Sequence, residues 1–218
     1  MRINVYGDII RNDDKWVYDW FEYDSTCPKD VAEKIEKANG EKLDIYINSG
    51  GGDVVAGSEI YSAIREYQGD VLIHITGLAA SAASVIAMAG RSTMSPTAQI
   101  MVHNVSSQTH GNYHDMDKMS EILQNANQAI ASAYVAKSGM SMNDALALMD
   151  NETWLTAEKA KELGLIDDIS ENQNLRLAAT SGMSIPPAII DKLKSLRAER
   201  EMQEQFDELK NGGIKNEF

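Results

Sequence analysis

The chain has 218 residues, 43% of them hydrophobic with 15 glycines besides, enough apolar material for a real core, which excludes a wholly disordered protein. With 20 basic residues against 33 acidic, the formal charge of −13 repels a phosphate backbone, and no basic patch offsets it, so nucleic acid is not an expected partner. The lone Cys27 excludes an internal disulfide framework. Arg2, Asp8 and Arg11 stand where a signal peptide needs an apolar stretch, and the longest weakly polar run, 78–90, is too short to span a bilayer. A soluble, cytoplasmic protein without a membrane partner is expected.

Residues 3–10 read as a short strand broken at Gly7, and the spacing of Trp16, Trp20 and Phe21 predicts a helix within 11–24. Pro28 opens a helix to about Lys37, with Gly40 as its stop. A buried strand at 43–47, a glycine-rich turn at 48–53 and a helix from about Val55 to Tyr67 follow. The unit then repeats as a strand at 71–75, a turn, and a helix from about Ser81 to Ala89. Two such units in succession predict an α/β fold with parallel strands. Residues 99–103 read as a third strand. A polar loop at 104–114 leads into a helix from about Asp115 to Lys137, with an apolar stripe of Met116, Met119, Leu123, Ala126, Ile130 and Ala133. Ser141 and Thr156 read as caps of two further helices. The predicted organisation is a domain over 1–170, a linker over 171–184 and a charged helical extension over 185–218.

Three features carry chemistry. The glycines at 50–52 let backbone approach a ligand and point amides at one oxygen, or else make a plain tight turn. Ser81 opens a helix of small residues, where amides favour a developing oxyanion, although a serine there is also an ordinary cap. His103 ends a strand and has the right chemistry for a serine's base, or for a hydrogen-bonded strand-end histidine. Ser84 reads as helix packing, His74 as a core histidine, and His110 with His114 lacks the third ligand a metal needs.

Taken in order, the segments YINSGGGDVVAGSEIYSAI (46–64), GLAASAASVIAMAG (77–90), IMVHN (100–104) and ETWLTAEKAKELGLID (152–167) resemble the proteolytic subunit of the Clp protease family. The likeness covers about residues 3–170, and its tail and short N-terminus look most like the Clp-type head-maturation proteases of tailed phages and prophages. The resemblance implies a ClpP/crotonase-like α/β fold of repeated β-β-α and βα units, with a protruding handle helix (about 104–138) and a C-terminal helical extension. It implies Ser81 as nucleophile, His103 as base, and the amides of Gly52 and Ala82 as oxyanion hole, with no metal or organic cofactor. The family's aspartate falls on Glu152, with Asp150 as a competing acid, and the family's proline in the glycine motif is Gly50. The serine-to-histidine stretch is a few residues shorter than in the family, consistent with a trimmed loop around Arg91–Pro96. The family assembles as heptameric rings that stack through the handle. With the first strand starting at Ile3, an ATPase partner is not expected, and a capsid precursor is the expected substrate. Rival readings are a crotonase-type acyl-CoA enzyme, which needs neither Ser81 nor His103, and a non-catalytic assembly or scaffolding module.

Overall fold

The structure is a computed structural model that describes residues 1–170 and, further on, Arg200, Met202 and Gln203, which are helical and exposed. The chain divides into two units, Met1–Asn172 and Gln173–Phe218. The linker expected at 171–184 and most of the extension expected at 185–218 lie outside the described residues.

The first unit is built on an eight-stranded sheet of β1 (Arg2–Ile9), β2 (Ser25–Thr26), β3 (Leu43–Gly52), β4 (Val71–Ala80), β5 (Arg91–Met94), β6 (Gln99–Val102), β7 (Thr153–Leu155) and β8 (Asp168–Ile169). Its main path runs β2-β1-β3-β4-β5-β8, all parallel. Strand β6 pairs parallel with the far end of β4, and β7 joins it antiparallel. The helices are α1 (Lys15–Trp20), α2 (Pro28–Ala38), α3 (Val54–Glu66), α4 (Ala82–Ala87), α5 (Tyr113–Ser138), α6 (Met142–Asp150) and α7 (Ala157–Glu162). This is the α/β fold expected, with a mostly parallel sheet.

Local chemistry sets the boundaries. Pro28 occupies the first turn of α2, where its missing N–H is not needed, and Asn39 ends the helix in the left-handed conformation. Asp53, Ser141 and Thr156 cap α3, α6 and α7 by accepting backbone amides. Asn112 and Asp115 form a reciprocal capping box at the start of α5. Ile45, Ile47, Ile73 and Ile75 are fully buried against Ile60, Ile64 and Ile86 from α3 and α4. Each such side chain contributes roughly 1.5–3 kcal/mol of burial free energy.

Several expectations change. The glycine-rich turn at 48–53 is instead the continuation of β3, since β1 pairs with it as far as Ile9 opposite Gly52. The trimmed loop expected around Arg91–Pro96 contains β5, whose polar side chains hid a strand held between β4 and β8. Strand β1 is bulged near Gly7 rather than broken there. The helix expected within 11–24 is confined to Lys15–Trp20 behind a 3-10 turn, and its two tryptophans stay exposed, Trp16 at 64% and Trp20 at 48%, stacked on each other.

His74 is not a core histidine. Strand β4 alternates, and His74 lies on the less covered sheet face between Thr93 Oγ1 at 3.1 Å and Asp44 Oδ1 at 3.2 Å, stacked on Tyr46. The stripe on α5 is divided. Ile130, Ala131, Ala133 and Tyr134 are buried, whereas Tyr113, Met116 and Ile122 in the N-terminal half are exposed. Among the described residues no helix is long and apolar enough to cross a membrane.

Candidate active site

Strand β4 delivers Ser81 directly from Ala80 into the first turn of α4. The abrupt change from strand to helix forces Ser81 to φ 54 and ψ −125, a conformation that costs a non-glycine residue about 1–3 kcal/mol. Hydrogen bonds on both sides hold it there. Its N–H donates to Met101 O at 2.9 Å, and its carbonyl accepts the Ser84 N–H at 2.9 Å. The chain passes Gly51 beneath this turn, where a Cβ would lie 2.7 Å from the Ser81 Cβ and 2.6 Å from Ala80 O. The glycine thus makes room for the serine.

Strand β6 runs beside the same end of β4 and carries His103 at its exit. The imidazole Nε2 lies 2.7 Å from Ser81 Oγ. Hydroxyl and ring are therefore within proton-transfer distance, in the arrangement of a nucleophile and its base. The loop that follows is tied to the long helix, because Val105 N–H donates to Asn127 Oδ1 at 2.8 Å.

Both residues open onto a cavity of about 500 Å³ that Gly52 and Ala82 also line. Ala82 is the first residue of α4, so its N–H has no partner within the helix. Gly52 has φ 144, and a Cβ there would sit 2.1 Å from Ile9 O. One wall of the cavity is apolar, made by Val54 and Val85 and by Met119, Leu123, Ala126 and Ile130 of α5, while Asn104, Ser106 and Ser107 line it elsewhere. The stripe seen in the sequence is in part the wall of this site.

The third position is different. The antiparallel β6–β7 ladder ends with Val102 opposite Thr153, so residues 103 and 152 are the first beyond the pairing on each chain segment. Glu152 is exposed with φ 46, and its N–H closes the end of α6 on Met149 O at 3.1 Å. Asp150 accepts instead from Asn104 Nδ2 at 2.8 Å. Among the described residues, neither carboxylate is hydrogen-bonded to His103, whose ring is bonded only to Ser81. Asn104, which the sequence reading passed over, also lines the cavity, and its Oδ1 is buried without a hydrogen-bond partner among the described residues.

Ser84 is more than packing. Wholly buried, its Oγ donates to Ser81 O at 2.6 Å and lies 2.8 Å from the hydroxyl of Tyr134 on α5. Burial pushes the Tyr134 phenol up to about 12, against a smaller opposing effect of its bond with Ser84. His110 and His114 are both exposed, and among the described residues no three His, Cys, Asp or Glu side chains converge on a metal-sized space.

The family model of the Clp protease matches residues 31–173, which includes the serine turn, the histidine and both carboxylates. The chain belongs to the Clp protease family. Two relatives illustrate the likeness. An ATP-dependent Clp protease proteolytic subunit from Bacteroides fragilis is 35% identical over 134 residues, covering 60% of this chain and 64% of that one. An ATP-dependent Clp protease proteolytic subunit 1 from Chlamydia abortus is 32% identical over 135 residues, covering 60% of this chain and 70% of that one. The chain thus spans a little under two thirds of the length of the Bacteroides relative. A mutant ClpP1 from Listeria monocytogenes has the same fold, with a TM-score of 0.65 at 22% identity over 79% of this chain and 92% of that one.

Proposed function

We propose that this Clp-family protein is a serine endopeptidase acting through an acyl-enzyme. The observation that carries the reading is the 2.7 Å contact of Ser81 Oγ with His103 Nε2, at a strained turn opening onto a cavity lined also by Gly52 and Ala82. Ser81 Oγ attacks the peptide carbonyl while His103 takes its proton, and His103 returns that proton to the leaving amine. The amides of Gly52 and Ala82 stabilise the tetrahedral oxyanion, and water then hydrolyses the acyl-enzyme. We assign the orienting acid to Glu152, because it directly precedes Thr153, the residue paired with Val102, while Asp150 is engaged by Asn104. The apolar wall favours a substrate with a hydrophobic side chain on the acyl side of the cut. A crotonase-type reaction would leave the Ser81–His103 contact without a purpose, and so would a purely scaffolding role.

The exposed apolar residues on the first half of α5, Tyr113, Met116 and Ile122, support assembly into stacked rings through this helix. The narrower role, processing a capsid or scaffold precursor during phage head maturation without an ATPase, rests on the sequence's likeness to that branch of the family. The named relatives are ATP-dependent subunits, so the two roles separate on the need for an ATPase. Hydrolysis of a short fluorogenic peptide with an apolar residue before the cut, lost in Ser81→Ala, tests the activity. Cleavage of a co-expressed capsid precursor with no ATPase present tests the role.

A further inference from the structure

The reading of Ser81 as nucleophile leaves a buried pair of hydroxyls unexplained. Ser84 Oγ is 2.6 Å from the Ser81 carbonyl and 2.8 Å from the Tyr134 hydroxyl. A serine hydroxyl has one hydrogen. With that hydrogen given to the carbonyl, the phenol must donate to Ser84, so the chain runs from Tyr134 O–H to Ser84 O–H to Ser81 C=O. Tyr134 is 2% exposed and keeps its proton at working pH, so the direction is fixed.

The carbonyl at the end of this chain belongs to the peptide unit whose N–H is that of Ala82. A trans peptide is planar, with C=O and N–H pointing in opposite directions, so fixing one fixes the other. This unit follows a residue at φ 54 and ψ −125, a conformation with little intrinsic preference to hold it in place. The Ser84 N–H also reaches the same carbonyl, at 2.9 Å. Two donors from Ser84, with the Val85 N–H as a longer third at 3.4 Å, therefore pull the carbonyl inward, and the Ala82 N–H is turned the opposite way.

We infer that Tyr134 and Ser84 are positioning residues that aim the Ala82 amide at the oxyanion, and that they tie this aim to the long helix α5. Neither touches substrate through its hydroxyl. Their effect passes through the peptide between Ser81 and Ala82, and a hydrogen bond to its carbonyl also polarises its N–H. The inference rests on the peptidase reading, in which that amide is catalytic.

Ser84→Ala and Tyr134→Phe each remove one oxygen from the full-length protein. Loss of a whole oxyanion donor costs about 10²–10³ in kcat, and misaiming one forfeits part of that. Ser84→Ala should lower kcat on an apolar peptide about tenfold and Tyr134→Phe about threefold, with KM changed less than twofold. The double variant should match Ser84→Ala alone, because Tyr134 acts only through Ser84. The backbone ¹⁵N resonance of Ala82 should shift in Tyr134→Phe, a readout that needs no turnover. Unchanged kcat with an unmoved Ala82 resonance would overturn the proposal. So would multiplying effects in the double variant, or a rise in KM alone, which would mean that Tyr134 merely shapes the cavity. Wild-type protein that neither hydrolyses peptide nor labels at Ser81 would instead refute the peptidase reading, while the resonance would still report the relay.

Discussion

The three consecutive glycines at 50–52 should respond to alanine in three different ways. Gly50 has no atom of the described residues within 4 Å of an added Cβ and no positive φ, so Gly50→Ala should leave activity intact and stabilise by about 0.4–1 kcal/mol through the unfolded chain. Gly51 sits at φ 96 with the Ser81 Cβ 2.7 Å and Ala80 O 2.6 Å from the new methyl. Conformational strain of about 1–3 kcal/mol adds to overpacking of about 1–3 kcal/mol, so Gly51→Ala should cost about 4 kcal/mol. That lowers Tm by roughly 8–16 °C in a domain of this size. Relief requires the serine turn to move by several tenths of an ångström, and a misplacement near 1 Å can cost about 10² in rate. Gly52→Ala meets Ile9 O at 2.1 Å, a backbone atom that cannot swing away, so it should unpair the end of β1 from β3 and lower Tm further than Gly51→Ala. Thermal unfolding by circular dichroism, with peptide hydrolysis on the same samples, measures both effects. Equal responses at the three positions would refute the reasoning, as would an active, fully stable Gly51→Ala.

Three other outcomes are expected. Glu152→Gln should lower kcat by roughly 10²–10⁴, as loss of a triad acid does, and Asp150→Asn by much less; the reverse order would move the role to Asp150, and two small effects would mean that Ser81 and His103 work as a pair. Burial raises the Asp167 pKa, but the Lys137 ammonium and the Ser92 amide, donating at 2.7 Å, more than offset it and leave the pKa lowered. A depressed carboxylate stabilises the fold above its unfolded pKa, about 3.9, and loses that contribution as pH falls through the folded value. The Tm gap between wild type and Asp167→Asn should therefore be full at neutral pH and close below about pH 4; a gap that persists at pH 2 would show that it has another origin. Ala126→Phe fills the apolar cavity, so the kcat/KM ratio of large over small residues before the cut should fall about tenfold or more; an unchanged ratio would place that side chain elsewhere.

Much of the scaffold was legible because local chemistry agreed with the fold. Pro28, Ser141 and Thr156 each mark a helix start that neighbouring residues suffice to identify. The order of glycines, serine and histidine was legible too, and the structure brings Ser81 and His103 together. What stayed hidden depended on partners distant in the chain. Glycines 51 and 52 read as turn residues, and only their pairing with β1, more than 40 positions earlier, makes them strand. Strand β5 has two polar residues and an arginine among four, so its strand character comes from β4 and β8 rather than from its own propensity. Ser84 looked like packing because Tyr134, 50 residues away, supplies the second half of its role. The acid was ambiguous in sequence since Asp150 and Glu152 are two residues apart; the strand register favours one, and Asn104 engages the other.

The central claim is that Ser81 is an activated nucleophile with His103 as its base. Reaction of the folded protein with a fluorophosphonate, followed by peptide mapping in a mass spectrometer, tests it most directly. The adduct should fall on Ser81 alone and should be lost in His103→Ala with the fold intact. An adduct on another serine, an absence of labelling in folded protein, or labelling at an undiminished rate without His103 would contradict it.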